Sequence, residues 1–114
     1  MVYNYGGPQS GYGIVDVAGG TWNDANSALD VGFGSHGFVT VENGGRVTLT
    51  SAEGYLNVGS SGGYGTVVVK DGGVLQTSQS PGGYGSLIAS GTSVGTGSGQ
   101  VFVTGSGSLW SSGS

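Results

Sequence analysis

Few side chains in this chain have chemistry to offer. Six carboxylates (Asp16, Asp24, Asp30, Glu42, Glu53 and Asp71), two cations (Arg46 and Lys70) and one imidazole (His36) carry most of it. A metal centre or a nucleophile–base pair needs several such groups converging on one point. His36 has no second His and no Cys to join it, so it reads as occupying a position held elsewhere by Tyr. Acid catalysis on a polysaccharide would cluster carboxylates on one face. Asp16 and Asp30 fall instead in different segments, and Glu42 and Asp71 fall in turns. Glu42 and Asp71 can approach across neighbouring repeats with Lys70 and Arg46 nearby, an arrangement expected for surface charge. A calcium-binding repeat requires Asp at a fixed place after Gly-Gly-x-Gly. The segments Gly62-Gly63-Tyr64-Gly65 and Gly82-Gly83-Tyr84-Gly85 lack it. No catalytic residue, metal ligand or cofactor is assigned, and the chain is not expected to be an enzyme.

Composition narrows the class. Gly supplies 28 of 114 residues, charged residues are 7% and the formal net charge is −4. Two basic residues cannot form the electropositive surface that nucleic acid requires. No apolar run is long enough to insert into a bilayer. Cys is absent, which excludes a disulfide frame. The first residues, Met1-Val2-Tyr3-Asn4-Tyr5, do not read as a secretory signal. A Gly-rich, charge-poor chain is often a linker, yet here Val alternates regularly with polar residues, which a linker has no reason to do.

That alternation belongs to a repeat. The pattern G-x-V-x-V stands at Gly13–Val17 (with Ile14), Gly37–Val41, Gly65–Val69 and Gly99–Val103. A Gly-rich turn follows each copy. Next comes an apolar segment: Thr21-Trp22, Val47-Thr48-Leu49-Thr50, Val74-Leu75-Gln76-Thr77 and Leu109-Trp110. A third segment ends in Val-Gly, at Leu29–Gly32, Leu56–Gly59 and, with a weaker match, Thr92–Gly95. The middle Val residues, Val15, Val39, Val67 and Val101, are separated by 24, 28 and 34 positions. A constant motif at unequal spacing places insertions in the turns, the largest at about 79–91. Its Leu87-Ile88-Ala89 is either a small extra strand or a cover.

Three short strands per repeat predict an all-β right-handed parallel β-helix, or β-solenoid, of about four irregular three-sided coils with open, uncapped ends. It occupies 1–114 as one domain. Val15/Val17, Val39/Val41, Val67/Val69 and Val101/Val103 then form one inward column, and Asp16, Thr40, Val68 and Phe102 point outward. Tyr12, His36 and Tyr64 stack in register, and Asn4, Asp30 and Asn57 form a column of Asx side chains suited to a ladder. An antiparallel sandwich is the main rival, but does not require the same motif in every repeat.

The chain begins and ends in mid-coil. Tyr3-Asn4-Tyr5-Gly6 aligns with the third segment, and Leu109-Trp110 with the second. Unpaired strand edges at both ends invite pairing. The residues expected to mediate it are Tyr3, Asn4, Tyr5, Val101, Val103, Leu109 and Trp110. The partner is another copy of the chain, head to tail as a homopolymer, or adjoining repeats of a longer chain.

The stretch Val101-Phe102-Val103-Thr104-Gly105-Ser106-Gly107-Ser108-Leu109-Trp110 resembles the repeats of autotransporter passenger domains and of exosortase (PEP-CTERM)-associated surface proteins. So does Val15-Asp16-Val17-Ala18-Gly19-Gly20-Thr21-Trp22 through Leu29–Gly32. The resemblance runs from about Gly13 to Trp110 and is interrupted at 79–91. It implies export, an extracellular or bacterial cell-surface location, and roles in adhesion, aggregation or matrix structure. It brings no catalytic residues. A second reading, a carbohydrate-binding or carbohydrate-processing β-helix, rests on the aromatic residues Tyr3, Tyr5, Tyr12, Tyr64, Tyr84, Trp22 and Trp110, which on exposed faces can stack on cell-surface glycans.

Overall fold

A computed structural model describes residues 12–24, 29–50, 56–77, 87–88, 91–92 and 95–112. The described residues form strands and turns without a helix. Gly and β-branched residues dominate them, and neither favours a helix.

The four G-x-V-x-V copies are the four strands of one parallel sheet. They are β1 (Tyr12–Ala18), β4 (His36–Glu42), β7 (Tyr64–Val69) and β12 (Ser98–Val103), in the order β1-β4-β7-β12. The register is the one the motif predicts: Val15 pairs with Val39, Val39 with Val67 and Val67 with Val101. A second parallel sheet contains β2 (Thr21–Asp24), β5 (Arg46–Leu49), β8 (Val74–Thr77) and β13 (Leu109–Ser112) in chain order. A third contains β3 (Leu29–Phe33), β6 (Leu56–Ser60) and β9 (Leu87–Ile88).

The third sheet departs from expectation at its last strand. Leu87 and Ile88, inside the 79–91 insertion, pair with Asn57 and Val58. The segment expected there, Thr92–Gly95, does not supply the strand: β10 (Gly91–Thr92) and β11 (Gly95–Thr96) pair with each other antiparallel. Two residues separate these strands, the length of a tight hairpin connection. The adjacent apolar Leu87-Ile88 takes the sheet position instead.

Inward side chains from all three sheets meet in one core of Leu29, Val31, Val39, Val41, Val47, Leu49, Leu56, Val58, Val67, Val69 and Leu75. Period-two alternation produces this directly, since every second residue of a strand faces the same side. Thr40 and Val68 face outward and are half-buried, while Asp16 and Phe102 are exposed.

The β4–β5 and β7–β8 corners between the first and second sheets are turns of one kind. Gly45 N–H donates to the Glu42 carbonyl at 2.8 Å and Gly73 N–H to the Lys70 carbonyl at 2.9 Å. The central residues Asn43 and Gly44 have φ of 51° and 74°, and Asp71 and Gly72 have 50° and 78°. Two successive positive φ angles are the type I′ pattern, which Asn-Gly and Asp-Gly adopt readily. Here the turns lead from one sheet into another. The turns themselves pair: Gly44 N–H reaches the Asp71 carbonyl at 3.2 Å, and Arg46 N–H reaches Gly20 O at 2.8 Å. The backbone ladder therefore continues around the corner.

The Val-Gly ending of the third segment has a steric cause. Gly32 and Gly59 have φ of 77° and 68°, and a Cβ on either would overlap the backbone carbonyl of Tyr64 or Ser98. Only Gly fits there.

Candidate functional site: the two outer strand layers

Among the described residues, the outermost strands of each long sheet are paired on one side only: β1 and β12 in the first, β2 and β13 in the second. Such an edge exposes unpaired backbone N–H and C=O groups.

Side chains on these strands report the missing neighbour. Val41 and Val69 in the first sheet's inward column are 0% exposed, whereas Val103, the next residue of that column, is 45% exposed. Val101 is half-buried, as are Val15 and Val17 on the opposite edge. The chemistry and orientation match along each column; only the number of flanking strands differs. In the second sheet the inward column runs Trp22, Val47, Leu75, Trp110. Indoles stand at both outer positions and aliphatic residues between them. Each Trp packs against the core and is half-buried, so the larger side chain covers area that a further strand would otherwise cover. The Nε1–H of Trp110 is enclosed without a hydrogen-bond partner. Leu109 lies in the outward column and is exposed. Of the expected association residues, Val101, Val103, Leu109 and Trp110 thus sit on free-edged strands, and Tyr3, Asn4 and Tyr5 lie outside the described residues.

The chemistry-bearing residues do not converge. Among the described residues no group of three His, Cys, Asp or Glu side chains is placed to hold a metal ion. Glu42 meets Lys70, one of the partners expected beside it: Lys70 Nζ lies 2.8 Å from Glu42 Oε2. The hydrogen bond to Glu42 is the main cause that holds the Lys70 ammonium above its ordinary pKa, followed by the Glu42 charge; desolvation opposes them, and the charges of Asp71 and Asp16 add lesser contributions. His36 stacks on Tyr64 with ring centroids 4.9 Å apart and planes 14° apart, as a column of Tyr12, His36 and Tyr64 predicts. Asp30 and Asn57 are in register, and Asn57 Nδ2 donates to Asp30 Oδ1 at 2.8 Å. Asn4, the third member of that column, and Glu53 lie outside the described residues.

No family model, curated protein or solved structure matches the chain.

Proposed function

We propose that the three parallel sheets are the sides of one right-handed β-solenoid of about four coils. In this reading the protein is an extracellular or cell-surface structural and adhesive element whose stack continues beyond its own ends, through a second copy joined head to tail or through adjoining repeats.

The supporting observation is the contrast between Val103 and its column mates Val41 and Val69. Each internal strand of this sheet already accepts a neighbour carrying the same motif, in the same register, on each side. The free edge of β12 offers the pattern that β7 offers to β12, and β1 has the pattern that fits it. Addition of a strand to such an edge takes its affinity from main-chain hydrogen bonds and its specificity from alternate side-chain positions. At the second sheet the same step brings Trp110 against Trp22 of the next copy.

The test is Val103→Lys, which places a charge in the column at the open edge. The expected result is loss of end-to-end association in sedimentation velocity, with the far-UV circular dichroism of the chain unchanged. Association that survives the substitution would count against the reading.

A further inference from the structure

The corner turns hold a different chemistry. Asn43-Gly44 and Asp71-Gly72 are dipeptides in which a backbone nitrogen can attack the side chain before it, because Gly puts no side chain in the way. Bond formation from the Gly nitrogen to Cγ closes a succinimide ring. At Asn43 the amide nitrogen leaves Cγ and takes up the Gly proton as ammonia. At Asp71 the hydroxyl of the protonated carboxyl leaves and takes it up as water. A water molecule then opens the ring at either carbonyl, giving aspartate or isoaspartate. The strand residues Asp16, Asp30 and Asn57 instead precede Val, whose branched side chain hinders the same attack. Asn43 and Asp71 are both exposed to the solvent water that the reaction needs.

We propose that Asn43 and Asp71 are succinimide-forming modification sites kept silent by the strand layer stacked on each, with Ser108 the guard of Asp71. Each attacking nitrogen is held by that layer. Gly44 N–H donates to the Asp71 carbonyl at 3.2 Å, and Gly72 N–H donates to Ser108 Oγ at 3.2 Å. A nitrogen must give up such a bond before it can attack. The turn adds a second restraint. As the mirror image of type I, type I′ has ψ of roughly +30° at its first central residue. That angle sets the Gly nitrogen nearly opposite Cβ across the Cα–C bond, whereas ring closure needs both on one side. The β12–β13 corner has no described layer beyond it. It is built of Gly105-Ser106-Gly107 and carries no such pair. Isoaspartate adds a methylene to the main chain, which a two-residue turn cannot absorb without losing its geometry. Conversion therefore disrupts the corner for good, and the chain keeps a chemical record of local opening. The inference uses bonds within one chain and holds whether or not the stack continues beyond its ends.

The test follows isoaspartate at each site by peptide mapping and mass spectrometry, in the chain kept at neutral pH with and without urea. Both sites are expected to convert many-fold more slowly in the native chain than in the unfolded one. Ser108→Ala, with its far-UV circular dichroism unchanged, is expected to raise conversion at Asp71 several-fold. Asn43, whose guard is a main-chain carbonyl, is expected to keep its wild-type rate. Ser108→Thr restores a hydroxyl and is expected to bring Asp71 back toward the wild-type rate. Equal rates with and without urea overturn the proposal. So does a Ser108→Ala chain in which Asp71 is unchanged, or in which both sites accelerate alike, the sign of general loosening. Hydrogen exchange at the Gly72 amide of the folded wild type is a second reading that needs no variant. Protection is expected there, and exchange at the rate of an open chain overturns the guard.

Discussion

Asn57 donates from Nδ2 to Oδ1 of Asp30 at 2.8 Å, across a register pair of adjacent parallel strands, and the same Nδ2 lies 3.0 Å from Ser60 Oγ. The bond is the side-chain counterpart of the backbone ladder, and it holds a carboxylate that is only partly exposed. Asn57→Ala leaves that carboxylate without its donor, and a charged group stripped of its partner in a part-buried site loses on the order of 1–3 kcal/mol. The pair Asp30→Asn with Asn57 intact keeps an amide ladder and is expected to lose less. Urea unfolding midpoints of the two variants check the order.

Gly59 and Gly44 provide a second comparison. Both have positive φ, at 68° and 74°. A Cβ at Gly44 meets nothing within 4 Å, whereas one at Gly59 overlaps the Ser98 carbonyl. Gly44→Ala is expected to lose only the left-handed backbone term, about 1–2 kcal/mol. Gly59→Ala adds a backbone clash and is expected to lose considerably more, or to unfold the chain. Equal effects on the thermal midpoint would contradict this geometry.

Val69 and Val103 test burial within a single column. Val69→Ala opens a cavity in a fully enclosed site and is expected to cost roughly 2 kcal/mol. Val103→Ala removes the same atoms from a site that is 45% exposed, so in the isolated chain it costs much less. In an end-to-end assembly the two costs converge. Measurement of both variants by chemical denaturation, below and above the concentration of association, reads out that convergence.

The Lys70–Glu42 pair fixes the sign of a pH effect. Contact with Glu42 raises the Lys70 pKa in the folded state. Its contribution to stability is therefore fully present below the ordinary Lys range and disappears as pH rises through the folded-state value. The difference in urea midpoint between wild type and Lys70→Gln is expected to be small, because the Lys70 side chain is 40% exposed and solvent screens such a pair. It should be constant near neutrality, absent in strong alkali and reduced by salt. A difference that grows with alkaline pH would contradict the assignment.

The repeat made much of this arrangement legible. A Gly-x-Val-x-Val motif recurring with the same alternation determines which Val residues align, because a slip of one residue would turn every inward Val outward. The stacking of His36 on Tyr64 and the pairing of Asp30 with Asn57 follow from the same register. The ion pair follows the same register: Lys70, which the sequence places among the partners near Glu42, meets it across neighbouring repeats. At Leu87–Ile88 the sequence leaves an extra strand and a cover as alternatives, since two residues display no period, and the pairing with Asn57 and Val58 is the strand.

The most direct measurement is cryo-electron microscopy of the purified protein at high concentration. The expected result is filaments with strands ~4.8 Å apart along the axis and a subunit repeat of about four strands, near ~19 Å. Dispersed monomers at every concentration, with β1 and β12 amides exchanging freely with solvent, would contradict continuation of the stack beyond these edges.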